Sequence, residues 1–428
     1  MWINPPAMRA DGLQVENAMA RESKPVAMLA PRGALMGQVY RACDRVRAVR
    51  QIAALMVALV TLSARGVGAQ LPVPSLRLAT GFGVDTTSSP AREVFDLWRR
   101  YLVESSDSVR AGLWSQPERA TWHPFDLVAP YVYQGFSDYT VVRLAPAVGL
   151  SDTYQITTLV SAVDESTHAV RPLALYRVYA INEAGRWALA NALPRMTRTW
   201  RRETIGAIHF VFPSTHAFDP RRARATAAFV DSLAAAFGQP APQPISYYFT
   251  TDLEETFRAL GLEFFPLGPD TIGGRSNRFV RHVYVGASTN GEGYLHELAH
   301  VILAPEVSGR TAPLVAEGLM TWTGGSAGLG YPQLLPGLAR YVAAHPSLSI
   351  EVVMADPPPR IGTLDVGYDG LAVLCELVHR NRGLAGLRAV LQAGRTPAEV
   401  LDTAARQLGI ARGSLDSLWR AMILKHQR

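Results

Sequence analysis

From residue 89 onward, apolar and polar positions fall into blocks whose period changes along the chain. Pro90 follows Ser89 and opens a helical pattern with Val94, Phe95, Trp98, Tyr101 and Leu102 on one face. Ser89 is therefore expected as the helix cap, with Pro90 at the first helical position. After a loop holding Trp114 and Trp122 the period shortens, and residues 139–144, 154–163, 173–181 and 186–193 read as strands with a turn at Asn182-Glu-Ala-Gly185. A helix followed by consecutive antiparallel strands predicts an α+β unit over residues 89–202.

From about residue 203 the pattern changes. Residues 208–212 read as a strand, Asp219-Pro220 opens an Ala-rich helix ending at Gly238, and 245–250 reads as the next strand. Asp252 with Glu255 suits a capping box, and residues 279–285 make a further strand. Beyond Gly291 the apolar spacing is helical throughout, with Thr396-Pro397 and Ser414 starting the last two helices. A second unit, 203–428, is thus expected to pair a small sheet with a mostly helical C-terminal half.

The front of the chain reads differently. Arg45, Arg47 and Arg50 precede a 13-residue apolar run from Ile52 to Ala64, and Val67-Gly-Ala69 offers small residues for cleavage. This is the make-up of an export signal, and the run is too short to span a bilayer comfortably. Residues 1–69 are expected to be an N-terminal extension with a signal peptide around 45–69, with translation starting at Met28 or Met36. Residues 70–88 are expected to form a flexible lead-in. The expected destination is the periplasm or the outside of the cell, with no stable membrane insertion after cleavage.

Composition sharpens this reading in two ways. Hydrophobic residues make up 48% and charged ones 18%, which supports a large core and excludes global disorder. The net charge of +6 is mostly a property of the front: nine of the 42 Lys and Arg, but only four of the 36 Asp and Glu, lie in residues 1–69. The remainder carries 33 bases against 32 acids, so no nucleic-acid partner is expected. Of the two cysteines, Cys43 lies before the cleavage site, so Cys375 is expected as an unpaired core residue.

The chemistry concentrates at residues 294–303, Tyr-Leu-His-Glu-Leu-Ala-His-Val-Ile-Leu. On a helix, His296 and His300 lie one turn apart on one face, and two imidazoles there reach one Zn²⁺. Glu297 sits about 100° round the helix, free to act on the metal's open side as a general base. A chance match to this pattern arises in roughly one such chain in a hundred, so a further acid matters. Glu317, in Val-Ala-Glu-Gly-Leu-Met-Thr-Trp on the next helix, lies seventeen positions beyond His300 and is the expected third ligand. Three protein ligands plus water make a catalytic zinc site. Glu306, after Pro305, is a weaker alternative.

On His-Glu-Leu-Ala-His at 296–300 and Ala-Glu-Gly-Leu at 316–319, the chain resembles the gluzincin superfamily of zinc peptidases, thermolysin-like enzymes and large zinc aminopeptidases among them. The likeness extends more loosely over 203–428. It implies secreted zinc-dependent peptide-bond hydrolysis, with one Zn²⁺ per chain held by His296, His300 and Glu317, and with Glu297 as base. The substrate would be a peptide or protein, and the sequence sets no oligomeric state. It also implies that the strand before the catalytic helix, 279–285, runs along the cleft. A Tyr or His from a later helix would stabilise the oxyanion; Tyr368 is the candidate. Many members place an Asp four residues after the ligand Glu, whereas this chain has Thr321, a weaker orienter; either zinc affinity or activity is lower, or a backbone carbonyl serves instead. By pattern alone, 89–202 resembles the cystatin or nuclear-transport-factor-like (NTF2-like) fold, with a bracing or substrate-positioning role.

Two other features of the sequence point to different chemistry. Gly324-Gly-Ser326-Ala-Gly328 matches a serine nucleophile elbow, which requires a strand before it, and a helix is expected there. A pseudo-peptidase, zinc-holding or zinc-free, catalytically silent and acting as a binding protein, keeps the same four residues and is separated by comparing turnover with Glu297→Gln. His123, Asp126, His345, His379 and His426 are isolated and expected to be structural.

Overall fold

The computed structural model describes residues 76–427 apart from 131, 133–137, 165, 266–272 and 288–290. The export-signal segment, the extension before it and Cys43 lie outside the described residues. Within the stretch read as a lead-in, Arg77–Thr80 forms strand β1, paired parallel with β2 (Asp138–Pro146). No helix among the described residues is long and apolar enough to cross a membrane.

The first layer is a six-stranded mixed sheet, β1-β2-β3-β4-β5, made with β3 (Thr153–Val163), β4 (Val170–Glu183) and β5 (Arg186–Ala190). The β4–β5 turn forms where expected: Asn182 Oδ1 accepts the Gly185 amide at 2.8 Å, with Ala184 and Gly185 both at positive φ. Helix α1 (Ala91–Val103) lays Val94, Leu97, Trp98 and Tyr101 on the sheet, and Trp98 donates its indole N–H to Thr158 at 3.1 Å. Ser89 does not cap this helix. Its hydroxyl bonds the Glu93 carboxylate instead, and Pro90, which has no side-chain oxygen, occupies the cap position. Two short helices follow, α2 (Asp107–Gly112) and α3 (Gln116–Thr121), and α4 (Ala192–Met196) closes the layer.

The second layer is a five-stranded sheet in the order β10-β11-β8-β7-β6: β6 (Arg201–Ile205), β7 (Ile208–Phe212), β8 (Ile245–Thr250), β10 (Gly273–Asn277) and β11 (His282–Gly286). β7, β8 and β11 run parallel, while β6 and β10 flank them antiparallel. The parallel strands are covered on both faces, which is why Ile-His-Phe-Val-Phe and His-Val-Tyr-Val-Gly read as near-continuous apolar runs. Helix α5 (Pro220–Ala236) starts on Asp219, whose carboxylate accepts the Arg221 and Arg222 amides. Helix α6 (Leu253–Leu260) starts on Asp252, which accepts the Glu255 amide at 2.7 Å. Helix α6 and the short β9 (Leu262–Phe264), which pairs with β4, contribute Leu253, Phe257, Leu260 and Leu262 to the core of the first layer.

The helical half contains α7 (Leu295–Ile302), α8 (Pro313–Gly324), α9 (Tyr331–Ala344), α10 (Ile350–Ala355), α11 (Val366–Leu391), α12 (Pro397–Leu408) and α13 (Leu415–Leu424). Pro313 sits in the first turn of α8, and Thr396 with Glu399 forms a reciprocal capping box on α12. Helices α8 and α11 pack almost backbone to backbone at Gly318, where a Cβ would lie 2.7 Å from the Leu371 carbonyl carbon. Cys375 is buried in this core, and burial pushes its thiol up to about 12.

Candidate metal centre

The turn before α7 is fixed by polar contacts from two elements. Tyr247 on β8 donates to the Gly291 carbonyl at 2.5 Å, and Thr226 on α5 donates to the Glu292 carbonyl at 2.7 Å. The Glu292 side chain is fully buried; it takes the Asp219 amide at 2.9 Å and contacts His216 Nε2 at 2.7 Å. The first turn of α7 is thereby tied to the start of α5, and Leu298, Ala299, Val301 and Ile302 anchor its inner face.

This helix presents His296 and His300 as one face, their ring centroids 5.0 Å apart. Helix α8 brings Glu317 to both: Oε2 lies 3.1 Å from His296 Nε2 and 3.3 Å from His300 Nε2. The donor atoms of the three residues all lie within 4.8 Å of one another. Ligand atoms 2.0–2.1 Å from a tetrahedral ion stand about 3.3 Å apart, so two nitrogens and one oxygen in this arrangement fit a zinc ion. The other ring nitrogen of His296, Nδ1, faces the Gly325 carbonyl at 2.8 Å. A proton held there leaves the Nε2 lone pair free toward the shared centre. Gly325 can offer that carbonyl because its φ is +78°, a left-handed value that glycine adopts without strain. Thr321, fully buried, has no hydrogen-bond partner for its hydroxyl among the described residues, so the backbone carbonyl and not Thr321 orients the imidazole.

The electrostatics of the three residues agree with this packing. Burial works to raise the Glu317 carboxyl, but the charges and hydrogen bonds of His300 and His296 outweigh it and hold it well below the usual carboxylate range. Burial works to lower His296, but the Glu317 hydrogen bond and charge take it up to about 9. The same donors serve a proton or a divalent cation, so metal binding here releases protons.

Glu297 is buried against strand β10, whose Gly274 approaches so closely that a Cβ there would lie 2.4 Å from Glu297 Cγ. The strand beside α7 is therefore β10, at the sheet edge. Residues 279–285 do not form that wall: the strand begins at His282, Phe279 is exposed in the preceding turn, and β11 lies inside the sheet, paired with both β8 and β10. Tyr368, in the first turn of α11, stacks parallel to His296 at 6.1 Å between centroids. Its amide is fixed by Asp365 at 2.9 Å. The Glu317 charge, with burial second, pushes its hydroxyl well above the ordinary tyrosine value, so it stands as a neutral donor.

Comparison with known proteins places little beside this geometry. No protein-family model matches the chain, and no curated protein sequence matches it. Among solved structures, the chain is similar to an M1 zinc metallopeptidase from Deinococcus radiodurans, at 14% identity and a TM-score of 0.32, covering 66% of this chain and 61% of that one. A mutant of the same enzyme bound to a Tyr-Ser-Ala substrate matches at 13% identity and a TM-score of 0.31, covering 65% and 59%. A two-domain M1 mutant bound to L-tryptophan matches at 13% identity and a TM-score of 0.31, covering 66% and 62%. The chain thus spans about three fifths of the length of these structures.

The remaining sequence candidates lie elsewhere or in structural roles. Glu306 accepts from Arg388 and from Gln239, each at 2.7–2.8 Å, and is committed to that clamp. Ser326 follows a helix and closes a tight turn with Leu329, without the strand a nucleophile elbow needs. Asp126 is buried in a network with Tyr101 and the Val128 and Ala129 amides. His345 caps its own helix end against the Tyr341 carbonyl, and His379 packs on Trp322. Sequence reasoning missed β10 and the Gly325 carbonyl. The Gly273-Gly274 pair was the available signal for β10, since glycine inside a strand marks a close backbone approach.

Proposed function

We propose that this chain is a zinc-dependent metallopeptidase of the gluzincin type, exported through the segment at 45–69 and acting on peptide or protein substrates. His296, His300 and Glu317 would hold one zinc ion, Glu297 would serve as the base, and Tyr368 would support the oxyanion. The observation that carries this reading is the meeting of His296, His300 and Glu317 at one centre, with Glu297 beside it and not among the donors.

When bound, zinc supplies Lewis acidity toward a water and the scissile carbonyl. Glu297 takes the proton of the attacking water and passes it to the departing amine. Tyr368 donates its O–H to the oxygen that gains charge as the carbonyl carbon becomes tetrahedral. Gly325 keeps His296 in the tautomer that presents Nε2. Residues 89–202 are read as a brace for the catalytic half.

The test compares the unmodified chain with Glu297→Gln on a generic peptide mixture, with zinc content measured for both. Hydrolysis should fall by about 10²–10⁴, with zinc unchanged. Equal activity in the two preparations removes Glu297 as base, and no activity in either leaves the catalytically silent binding protein as the description.

A further inference from the structure

The charges around the site are lopsided. Arg275 on β10 follows directly after the glycine that packs on Glu297, and its guanidinium Nη1 donates to the Gly274 carbonyl at 2.9 Å. These links hold the guanidinium nitrogen within roughly 10 Å of Glu297 Cγ. The residue is exposed, and among the described residues no carboxylate pairs with it. Its charge also reaches the hydroxyls of Tyr368 and Tyr294, lowering both against the larger effects that raise them. A second cation, Arg360, acts on Tyr294 and Asp365 from the loop before α11.

The acids at the site, Glu297 apart, are already committed. Glu317 is shared by two imidazoles. Asp365 caps α11 by accepting the Tyr368 amide, and Glu292 is held by His216 and the Asp219 amide. Asp369, fully buried, is raised to about 8 by burial and then by Asp365, so it is uncharged at neutral pH. Among the described residues a substrate ammonium group finds no spare carboxylate here, whereas a substrate carboxylate finds the exposed Arg275, whose charge acts on Tyr368 and Tyr294.

We propose that Arg275 is a specificity-determining residue that binds a substrate carboxylate next to the scissile bond, supplied by the free C-terminus or by an acidic side chain. The planar guanidinium suits two-point recognition of a carboxylate, and charge-assisted bonds of this kind change affinity by about tenfold to a hundredfold. This inference rests on the peptidase reading for its catalytic consequence and on Arg275 alone for binding.

The experiment uses the full zinc-loaded chain and one peptide core that carries Glu, Gln or Lys beside the scissile bond, each ending as free acid or as amide. kcat/KM should favour a carboxylate-bearing arm by about tenfold to a hundredfold, and the favoured arm identifies its source. Arg275→Ala should erase the preference, and Arg275→Glu should turn it toward Lys. In parallel, the Glu297→Gln chain is titrated calorimetrically with the same peptides, with and without Arg275→Ala. A carboxylate preference that survives Arg275→Ala in both assays overturns the inference and leaves the peptidase reading standing. Arg275-dependent binding without hydrolysis by the unmodified chain does the reverse, and neither binding nor hydrolysis overturns both.

Discussion

The close approach of Gly274 to α7 offers the sharpest test of how Glu297 is aimed. In Gly274→Ala the new Cβ would fall 2.4 Å from Glu297 Cγ, 3.2 Å from its Cδ and 3.1 Å from the Tyr284 carbonyl oxygen. Carbon atoms rest at about 3.5–4.0 Å, so Glu297 has to move by about 1 Å, because the Tyr284 backbone behind the strand blocks retreat. A displacement of that size at a catalytic group costs about 10²-fold in rate, or about 2.7 kcal/mol of barrier. The zinc donors are untouched. Turnover of a peptide substrate, metal content and thermal unfolding should be measured together, with Gly273→Ala as control, since among the described residues its Cβ meets only Leu253 Cδ2 at 3.4 Å. We expect kcat to fall about a hundredfold in Gly274→Ala with zinc retained, and the control to stay near the parent. A kcat within twofold of the parent would refute the placement of Glu297 against β10.

Two further outcomes follow from the same geometry. Tyr368→Phe should lower kcat by about 10²–10³ at constant zinc content, and unchanged turnover removes the hydroxyl from the reaction. Burial, and then the Asp365 charge, pushes the Asp369 carboxyl from its ordinary 3.8 up to about 8. A raised folded value means stability is greatest below the unfolded pKa and is lost as pH rises toward 8, by about 1.4 kcal/mol per unit. Asp369→Asn should therefore match the parent near pH 4 and exceed it increasingly toward pH 8 in urea unfolding; parallel curves would show that Asp369 is ionised in the folded state.

Much of the local structure was legible because single residues carry strong instructions. Asp219-Pro220 and Thr396-Pro397 fixed two helix starts, and the Asn182–Gly185 turn fixed a hairpin. The spacing of His296 and His300 was readable for the same reason, since helical period alone puts them on one face. Ser89 failed because a neighbouring acid, Glu93, competed for its hydroxyl. Strand β10 was missed because Gly-Gly-Arg-Ser-Asn has no apolar alternation; an edge strand beside a helix needs room more than side chains. Arg275 was silent for a related reason, as a lone arginine gains meaning only from the acids around it. The orienting carbonyl of Gly325 has no sequence signature, because any residue has a carbonyl and only the fold aims it.

The excursion of α6 and β9 into the first layer ties together parts of the chain far apart in sequence. Leu253, Phe257, Leu260 and Leu262 sit in the same core as Trp98 and Tyr101, and the segment carrying them leads through β10 and β11 to α7. Excising residues 89–202 would strip those four side chains and leave β9 without a neighbour. The aromatic residues of α1 and the segment that leads into α7 thus share one core, and damage near Trp98 would be felt, at a distance, as a loosened footing for β10 and β11.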